Sequence, residues 1–248
     1  MSQHWKTRLY NAYVTTGQAG KGTDSRNYQG DPAKLFPPGG VARFVANRIS
    51  KDRDISILDL GCGHGALLHH LRRLGYRNLA GVDTSAEQIA IAHQTGLAVV
   101  EEGDIESHLA ALPASSVDVV LLIDVIEHME PQEMFSVLDD VYRVLKRGGL
   151  CIVHAPNAAG ISGMDVRYGD FTHEQAFTKG SASQVFSAVG FRRVQCFEDA
   201  PSGTSAVGLA RRAVWELGTL PRRILMAAET GAVRGSVLTR NLFVEALK

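Results

Sequence analysis

The sequence of 248 residues contains only three cysteines, Cys62, Cys151 and Cys196, and they are widely spaced. This spacing gives neither a disulfide framework nor a zinc-finger pattern, so a reducing, cytoplasmic compartment is expected. The chain also lacks an excess of either charge, with 26 basic and 26 acidic residues. Proteins whose main partner is nucleic acid neutralise phosphates with a basic surface, so no nucleic-acid partner is expected.

Long apolar runs are absent as well. No stretch is long and apolar enough to span a bilayer, and residues 1–10 lack the apolar core of a secretory signal. A soluble protein is therefore expected. With 45% hydrophobic residues, a chain of this length is large enough to bury a sizeable core in one domain.

The chain does contain a regular alternation of short apolar segments and amphipathic segments from residue 55 onward. Seven strands are predicted, at 55–60, 78–82, 97–100, 117–123, 150–154, 191–197 and 241–247. Helices are predicted over 41–49, 66–74, 86–94, 132–145 and 181–189. Strands that alternate with helices at this spacing predict an α/β fold, with a Rossmann-like, mostly parallel seven-stranded sheet covered by helices on both faces.

Composition divides the chain into an extension and one domain. Residues 1–38, rich in Gly, Asn, Gln and Tyr, predict an N-terminal extension or flap, and residues 39–248 predict the domain itself. Within the domain, residues 156–177 predict a loop over the carboxyl edge of the sheet. Residues 203–230 predict a helical insertion before the last strand, in which Pro221 is expected to separate two helices.

The turn after the first strand carries the clearest functional signal. A strand that ends near Asp59 is followed by glycines at positions 61, 63 and 65 and then by a helix. Glycines let a ligand approach the backbone closely, and the N–H groups at the helix start favour a negative group such as a carboxylate. An acid directly before the glycines suits a ligand with an ammonium group and would repel a pyrophosphate. The glycine spacing also differs from the Gly-x-Gly-x-x-Gly fingerprint of dinucleotide binding.

Two further acids follow the next two strands. Asp83 ends the second strand, where a carboxylate can hydrogen-bond both hydroxyls of a ribose. Asp104 follows the third strand, where a carboxylate can accept from the amino group of an adenine. A single acid at a strand end is as often a cap as a ligand contact. Three acids in this order match an amino acid, a ribose and a base.

These segments resemble the successive motifs of class I S-adenosylmethionine-dependent methyltransferases. The matching motifs are ILDLGCGHG at 57–65, GVDTS at 81–85, DVV at 118–120, DVIEH at 124–128 and LKRGG at 145–149. The resemblance implies S-adenosylmethionine as the cofactor and an antiparallel last strand at 241–247. It also implies a set of cofactor contacts, which are Asp59, Gly61, Cys62, Gly63, Asp83, Thr84, Gly103, Asp104, Ile105, Ile123 and Asp124.

A narrower resemblance links the chain to methyltransferases of bacterial surface-polysaccharide biosynthesis. It rests on RYGDFTHEQAFT at 167–178 and LTRN at 238–241. It implies a sugar or glycan hydroxyl as the acceptor and an acceptor loop at 156–177. It also implies substrate contacts from Tyr168, Asp170 and Glu174. A small aromatic or quinone-like hydroxyl is the alternative acceptor, and a non-catalytic cofactor-binding protein is a further alternative. A nicotinamide-dependent oxidoreductase is disfavoured by the glycine spacing and by Asp59.

Histidines are the candidates for a general base. Methyl transfer to a hydroxyl needs alignment of oxygen, methyl carbon and sulfur, and a base helps to remove the proton. His173, near Asp170 and Glu174, is the first candidate, His128 after the fourth strand is the second and His154 is the third. Each of the first two has a structural alternative, since His173 can pin its loop and His128 can brace the next helix. The histidines and carboxylates show no distinctive metal spacing, so no metal site is predicted.

Residues 206–228 combine many apolar residues with four arginines, Arg211, Arg212, Arg222 and Arg223. Basic amphipathic helices can lie on anionic membranes, which would suit a lipid-linked glycan acceptor. The interpretation that we favour from the sequence is a helical lid or a subunit contact, as in a homodimer.

Overall fold

The computed structural model describes residues 5–10, 39–201, 205–231 and 235–248. Its strands are β1 (Ser56–Leu60), β2 (Asn78–Asp83), β3 (Val100–Glu102), β4 (Val117–Ile123), β5 (Leu145–Pro156), β6 (Arg193–Glu198) and β7 (Asn241–Leu247). They form one sheet in the order β3-β2-β1-β4-β5-β7-β6. Strand β7 is antiparallel to both of its neighbours, and the other strands are parallel to one another. The predicted seven-stranded sheet with an antiparallel last strand is confirmed.

The helices of the described residues lie before, between and after these strands. They are α1 (Trp5–Tyr10), α2 (Gly40–Arg48), α3 (Ala66–Arg73), α4 (Ala86–Gln94), α5 (Ile105–Ala111), α6 (Pro131–Val144), α7 (Gly163–Arg167), α8 (Lys179–Val189) and α9 (Ala206–Thr230). A short 3-10 turn covers Ile126–His128. Of the predicted extension at 1–38, only α1 belongs to the described residues. No helix of the described ranges combines the length and the apolar character needed to cross a bilayer.

Two apolar clusters explain why the sheet is covered on both faces. One cluster packs α2, α3 and α4 against the sheet through residues such as Val45, Leu68 and Ile89. The other packs α5, α6 and α8 against the opposite face through residues such as Leu138 and Phe186. The central strand β4 contributes consecutive buried aliphatics to both clusters, as a strand buried on both faces must.

The structure differs from the predicted elements at several positions. Strand β5 begins at Leu145, where the predicted helix 132–145 ends, and α7 lies within the predicted loop at 156–177. The third strand lies at Val100–Glu102, later than the predicted 97–100. Helix α5 was not predicted, and it begins directly after this strand. The prediction of two helices around Pro221 is wrong, because α9 is one helix of 25 residues. A proline deprives the carbonyl four residues earlier of its partner, but Leu217 lies on the exposed side of α9, where water can donate to that carbonyl.

The parallel strands bring their carboxyl ends to one edge of the sheet. The ends of β1, β2, β4, β5 and β6 therefore lie along the same edge as the start of the antiparallel β7. Ligands of open α/β sheets bind outside this edge. The side chains that follow these strand ends are therefore the candidates for ligand contacts.

Candidate cofactor and acceptor site

The turn between β1 and α3 has a backbone that requires glycine. Gly61, Gly63 and Gly65 have φ values of 71°, 54° and 75°, in the left-handed region. A Cβ on Gly61 would lie 2.5 Å from Cγ2 of Val125. The amides of Gly61 and Cys62 both donate to the carbonyl of Val82, at 2.8 and 3.0 Å. The turn is thereby tied to β2, and its shape leaves room for a ligand against the backbone.

Asp59 carries an unsatisfied acceptor in the floor of this turn. The residue is 2% exposed, and its Oδ1 has no hydrogen-bond partner among the described residues. Burial, followed by the charge of Asp83, raises the pKa of the carboxyl group to about 8. A buried carboxyl group of this kind is costly unless a cation pairs with it. An ammonium group fits that requirement, so the site suits the amino-acid part of S-adenosylmethionine.

Asp83, at the end of β2, holds the glycine turn from the other side. Its Oδ2 accepts from the amide of Gly63 and its Oδ1 from that of Ser85, both at 2.8 Å. Burial raises the pKa of Asp83 despite these two hydrogen bonds. Because each carboxylate oxygen has two lone pairs, ribose hydroxyls can still donate to it. Its predicted ribose contact, with Thr84 exposed beside it, therefore stays a prediction.

Asp104 has a capping role in the structure. Its side chain is exposed and accepts from the amide of Ser107 at 2.9 Å, which starts α5. The amide of Gly103 donates to the carbonyl of Asp83 at 3.0 Å, which joins the two loops. Asp104 thus caps a helix, as acids at strand ends often do. The predicted adenine contact of Asp104 and Ile105 stays a prediction.

Cys62 lies in the same turn and contributes no nucleophile. Burial raises the pKa of its thiol far above neutrality, and the neighbouring charges of Asp59 and Asp83 raise it further. The protonated thiol is then a small apolar wall of the pocket.

A buried cation joins the ends of β4, β5 and β6. His154 is 3% exposed, with its Nδ1 2.6 Å from Oδ1 of Asp124 and its Nε2 3.4 Å from Oδ2 of Asp199. The second contact has ion-pair distance without hydrogen-bond alignment. Burial alone would lower the pKa of His154, but the two carboxylates raise it to about 10. His154 is therefore protonated at neutral pH and is excluded as the base, which was its third-ranked role.

Asp124 follows Ile123, the last residue of β4, and has an unusual backbone. Its φ of 55° lies in the left-handed region, which is strained for a residue other than glycine. Its amide donates to the carbonyl of His154 at 2.9 Å, and its carboxylate contacts the same residue. Both contacts hold Asp124 at the edge of the sheet, where its side chain is 55% exposed. The predicted place of Asp124 beside the cofactor is compatible with this geometry.

Residues of the motif at 167–178 hold His128, the second histidine candidate, in position. The hydroxyl of Thr172 donates to Oδ1 of Asp170 at 2.6 Å and lies 2.8 Å from Nδ1 of His128. Because the hydroxyl has one proton, which goes to Asp170, Nδ1 of His128 must be the donor in the second bond. The lone pair of the neutral ring is then on Nε2. Asp170, 8% exposed, therefore positions Thr172 and through it His128, and its predicted substrate contact stays a prediction.

The two predicted bases lie side by side. The ring centroids of His128 and His173 are 4.7 Å apart, and Nδ1 of His173 bonds to the carbonyl of Val166 at 3.0 Å. Burial, and then the charge of His173, lowers the pKa of His128 to about 4. His128 is consequently neutral at physiological pH.

Glu127 completes a cluster with these histidines. Its Oε2 is buried without a hydrogen-bond partner among the described residues, and burial and the nearby Asp124 raise its pKa. One potential ligand atom from each of Glu127, His128 and His173 lies within 4.8 Å of the others. The residue types can hold a divalent cation, a possibility that spacing in the sequence did not indicate. A tetrahedral zinc ion places its ligand atoms about 3.3 Å apart, within the distance that separates these atoms.

Helix α1 lies against this cluster. Nζ of Lys6 donates to the carbonyl of His128 at 2.9 Å and pairs with Glu174 at 3.0 Å. The ring of Trp5 packs edge-on against Phe171, with centroids 5.6 Å apart. The described part of the extension thus contacts the predicted acceptor loop at Phe171 and Glu174. The predicted substrate contact Glu174 is engaged by Lys6, whereas Tyr168 is 73% exposed.

The structure brings the predicted residues into two neighbouring groups. The cofactor group surrounds the glycine turn, and the acceptor group surrounds His128 and His173. The sequence interpretation missed Glu127, Thr172 and Asp199, although the first lies inside the DVIEH motif and the last follows the end of a parallel strand. The rule that carboxyl ends of parallel strands share an edge was the signal that could have found Asp199.

Comparisons with known proteins agree with this geometry. Residues 34–196, more than half of the chain, match the family model described as a methyltransferase domain. The chain is 35% identical over 115 residues to the mitochondrial ubiquinone biosynthesis O-methyltransferase of Rattus norvegicus, covering 44% of this chain and 32% of that protein. It is 34% identical over 140 residues to the ubiquinone biosynthesis O-methyltransferase of Caulobacter vibrioides, covering 51% and 54%. The chain therefore spans about a third to a half of the length of these relatives.

The fold has solved counterparts. A S-adenosylmethionine-dependent methyltransferase from Archaeoglobus fulgidus superimposes with a TM-score of 0.64 at 21% identity, covering 87% of this chain and 97% of that one. This likeness concerns the fold, and the family match concerns the sequence. Together with the site at Asp59, they identify the chain as a member of the methyltransferase-domain family, with S-adenosylmethionine as its cofactor.

Proposed function

We propose that the chain transfers a methyl group to the hydroxyl of a small aromatic, quinone-like acceptor. The two named relatives are ubiquinone biosynthesis O-methyltransferases, which supports a phenolic hydroxyl better than a glycan hydroxyl. The observation that carries the proposal is the pair of histidines beside the predicted acceptor loop, with their rings 4.7 Å apart. The exposed rings of Tyr168 and Phe171 offer apolar surface near that pair for an aromatic ligand.

The residues around the glycine turn hold the cofactor. Asp59 pairs with the ammonium group, and the open backbone at Gly61 and Gly63 lets the methionine part lie against the turn. S-adenosylmethionine supplies a methyl carbon on a positively charged sulfur, which is electrophilic without further activation. The protein therefore needs to align the acceptor oxygen and to remove its proton.

We assign proton removal to His173, whose ring is oriented by a hydrogen bond to the carbonyl of Val166. The bond between Nδ1 of His173 and the carbonyl of Val166 requires a proton on Nδ1, so the neutral ring accepts at Nε2. His128 has a pKa of about 4 and stays neutral when its neighbour takes up the proton. His128 is thus a positioning residue that helps to define the acceptor pocket.

A sugar hydroxyl is the second candidate acceptor. Thr239 and Arg240, from the LTRN motif that resembles polysaccharide methyltransferases, line a cavity of about 540 Å³ together with Asp199. Since Asp199 contacts His154 and His154 contacts Asp124, this polar cavity adjoins the cofactor group. The polar lining of this cavity favours a larger, polar acceptor, whereas the exposed rings of Tyr168 and Phe171 favour a phenolic acceptor.

A transfer assay with labelled S-adenosylmethionine tests the proposal. Catechols and hydroquinones are compared with nucleotide sugars and lipid-linked glycans, and label is expected in the phenolic acceptors. Label in the sugars alone would reject the phenolic acceptor in favour of the second candidate. Replacing His173 with glutamine should reduce turnover at least tenfold while cofactor affinity is unchanged, and His108→Gln on α5 serves as the matched control. Near-normal turnover in the first variant would remove His173 as the base.

A further inference from the structure

The cavity beside Asp199 has an unusual set of unpaired donors. The side chains of Arg211 and Arg240 line it and make no hydrogen bond or ion pair with any residue that the structure describes. Arg211 lies on α9 and Arg240 directly before β7. Two further arginines of α9 do have carboxylate partners, since Arg212 pairs with Glu216 and Arg223 with Glu198. Arg222, which lies outside the lining, has no described partner either, so Arg211 and Arg240 are distinguished by their position in the cavity wall.

Trp215 also belongs to the lining of this cavity. Its Nε1 is buried without a hydrogen-bond partner in the described part of the chain. Buried indole N–H groups nearly always have an acceptor. Because this nitrogen is shielded from water, it does not face the cavity, and the indole ring contributes an apolar wall there.

The rest of the lining is also rich in donors. Helix α2 begins at Gly40 in the cavity wall, where amides of a first helical turn lack partners within the helix. Arg43, one turn further along α2, adds a third guanidinium group to the lining. Asp199 is the single carboxylate among the described residues of the lining, and its charge is opposed by the ion pair with His154.

We propose that this cavity binds an anionic oxygen group of the acceptor, a phosphate or a carboxylate. Guanidinium groups bind both anions through paired hydrogen bonds. A cavity of about 540 Å³ is large enough for the anion together with part of the molecule that carries it. The inference rests on the proposed function, because it assigns this group to the molecule whose hydroxyl is methylated.

Calorimetry on the complex with S-adenosylhomocysteine tests the proposal with phenyl phosphate, benzoate and phenol as probes. At least one of the two anions should bind tenfold or more tightly than phenol, and the preferred anion identifies the source of the charge. Arg211→Ala and Arg240→Ala should each weaken that binding at least tenfold. Arg222→Ala, on the same helix but outside the cavity lining, should change it less than twofold. Anions that bind no better than phenol, or equal losses in all three variants, would overturn the proposal.

The transfer assay separates this inference from the proposed function. Anion binding that depends on Arg211 and Arg240, without methyl transfer to any hydroxyl, would reject the proposed function alone. Efficient transfer to a neutral phenol, with a KM that neither arginine substitution changes, would reject the anion site alone.

The outer face of α9 supports a second inference on separate evidence. Seven large apolar residues of this helix are between 49% and 72% exposed, namely Val207, Leu209, Val214, Leu217, Leu220, Ile224 and Leu225. At 3.6 residues per turn they occupy about 160° of the helix circumference. An apolar face of this width on a helix indicates a contact with another apolar phase or surface.

Charge favours a membrane as the occupant of this face. Arg211 and Arg222 flank it on one side and Arg212 on the other, at the helical spacing of 100° per residue. The helix has four arginines against two glutamates. Because Arg212 pairs with Glu216 and Arg223 with Glu198, the charge that attracts an anionic surface comes from Arg211 and Arg222, on one flank of the apolar face. We infer that α9 lies in the interface of an anionic bilayer, with its apolar face toward the acyl chains.

Flotation with vesicles tests this inference. The intact protein should float with vesicles of equal phosphatidylglycerol and phosphatidylcholine and remain unbound with phosphatidylcholine alone. Because both side chains are exposed, the double variant Leu217→Ser, Ile224→Ser should keep its fold and lose at least tenfold in binding. Leu74→Ser, an exposed leucine outside α9, is the control and should bind normally. Absence of flotation, or a dimer in solution that the double variant dissociates, would overturn the inference.

Discussion

Replacing Asp59 with asparagine should stabilise the protein in the absence of cofactor. Burial raises the pKa of this carboxyl group from 3.8 to about 8, so at pH 7 it is protonated when folded and ionised when unfolded. A raised folded-state pKa stabilises the native state below pH 3.8, and this contribution is lost as the pH rises through about 8. One pKa unit corresponds to about 1.4 kcal/mol, so by pH 7 the loss amounts to about 4 kcal/mol. Asparagine has nearly the same shape and no charge to lose, so it avoids this loss.

The assay is urea unfolding of both proteins at several pH values. The difference in free energy of unfolding, variant minus wild type, should grow by about 1.4 kcal/mol per pH unit between pH 4 and 8 and level off above pH 8. Asp139→Asn, at an exposed position of α6, should show no such slope. A variant less stable than the wild type at pH 7, or a difference that does not change with pH, would refute the account of Asp59.

Three further predictions concern other parts of the site. Gly61→Ala should lower the free energy of unfolding by about 1–3 kcal/mol more than Gly96→Ala does, because both glycines have positive φ but only the Cβ at position 61 would meet a neighbouring side chain. Urea unfolding measures this difference. Equal losses in the two variants would contradict the close contact at Gly61. Methyl transfer should persist in EDTA, because the proposed proton removal by His173 needs no metal. Loss of activity that zinc or magnesium restores would show that the cluster of Glu127, His128 and His173 holds a metal ion. Asp199→Asn should lower the pKa of His154 from about 10, observed as an earlier titration of its ring in NMR spectra; an unchanged titration would remove Asp199 as a source of the shift.

The sheet could be predicted from the sequence because its signals are local. The apolar runs of β1 and β4 and the glycines after β1 each determine their own backbone. The cofactor turn was found for the same reason, since Asp59 and the glycines are adjacent in the chain. Helix α5 escaped prediction because its start depends on Asp104, whose carboxylate had been assigned to a ligand contact. The continuity of α9 escaped prediction because a proline usually ends a helix, whereas the carbonyl of Leu217, which Pro221 leaves without a donor, lies on the exposed side of this helix.

The acceptor side depends on contacts between distant parts of the chain. His154 and Asp199 meet only because the sheet aligns the ends of β5 and β6, and no spacing between them indicates the ion pair. The link from Asp170 through Thr172 to His128 likewise joins a loop to the end of β4. The sequence motif at 167–178 marked this loop as functional, but its role in orienting a histidine required the fold.

Calorimetric titration with S-adenosylhomocysteine tests the central claim, that Asp59 holds the ammonium group of the cofactor. The account predicts binding of one molecule per chain and, at pH 7, release of most of one proton, measured in buffers of different ionisation enthalpy. Removing the charged partner costs about 3 kcal/mol, so Asp59→Asn should bind roughly 100-fold more weakly and release no proton. Equal affinity of wild type and variant, or binding without proton release, would contradict the account.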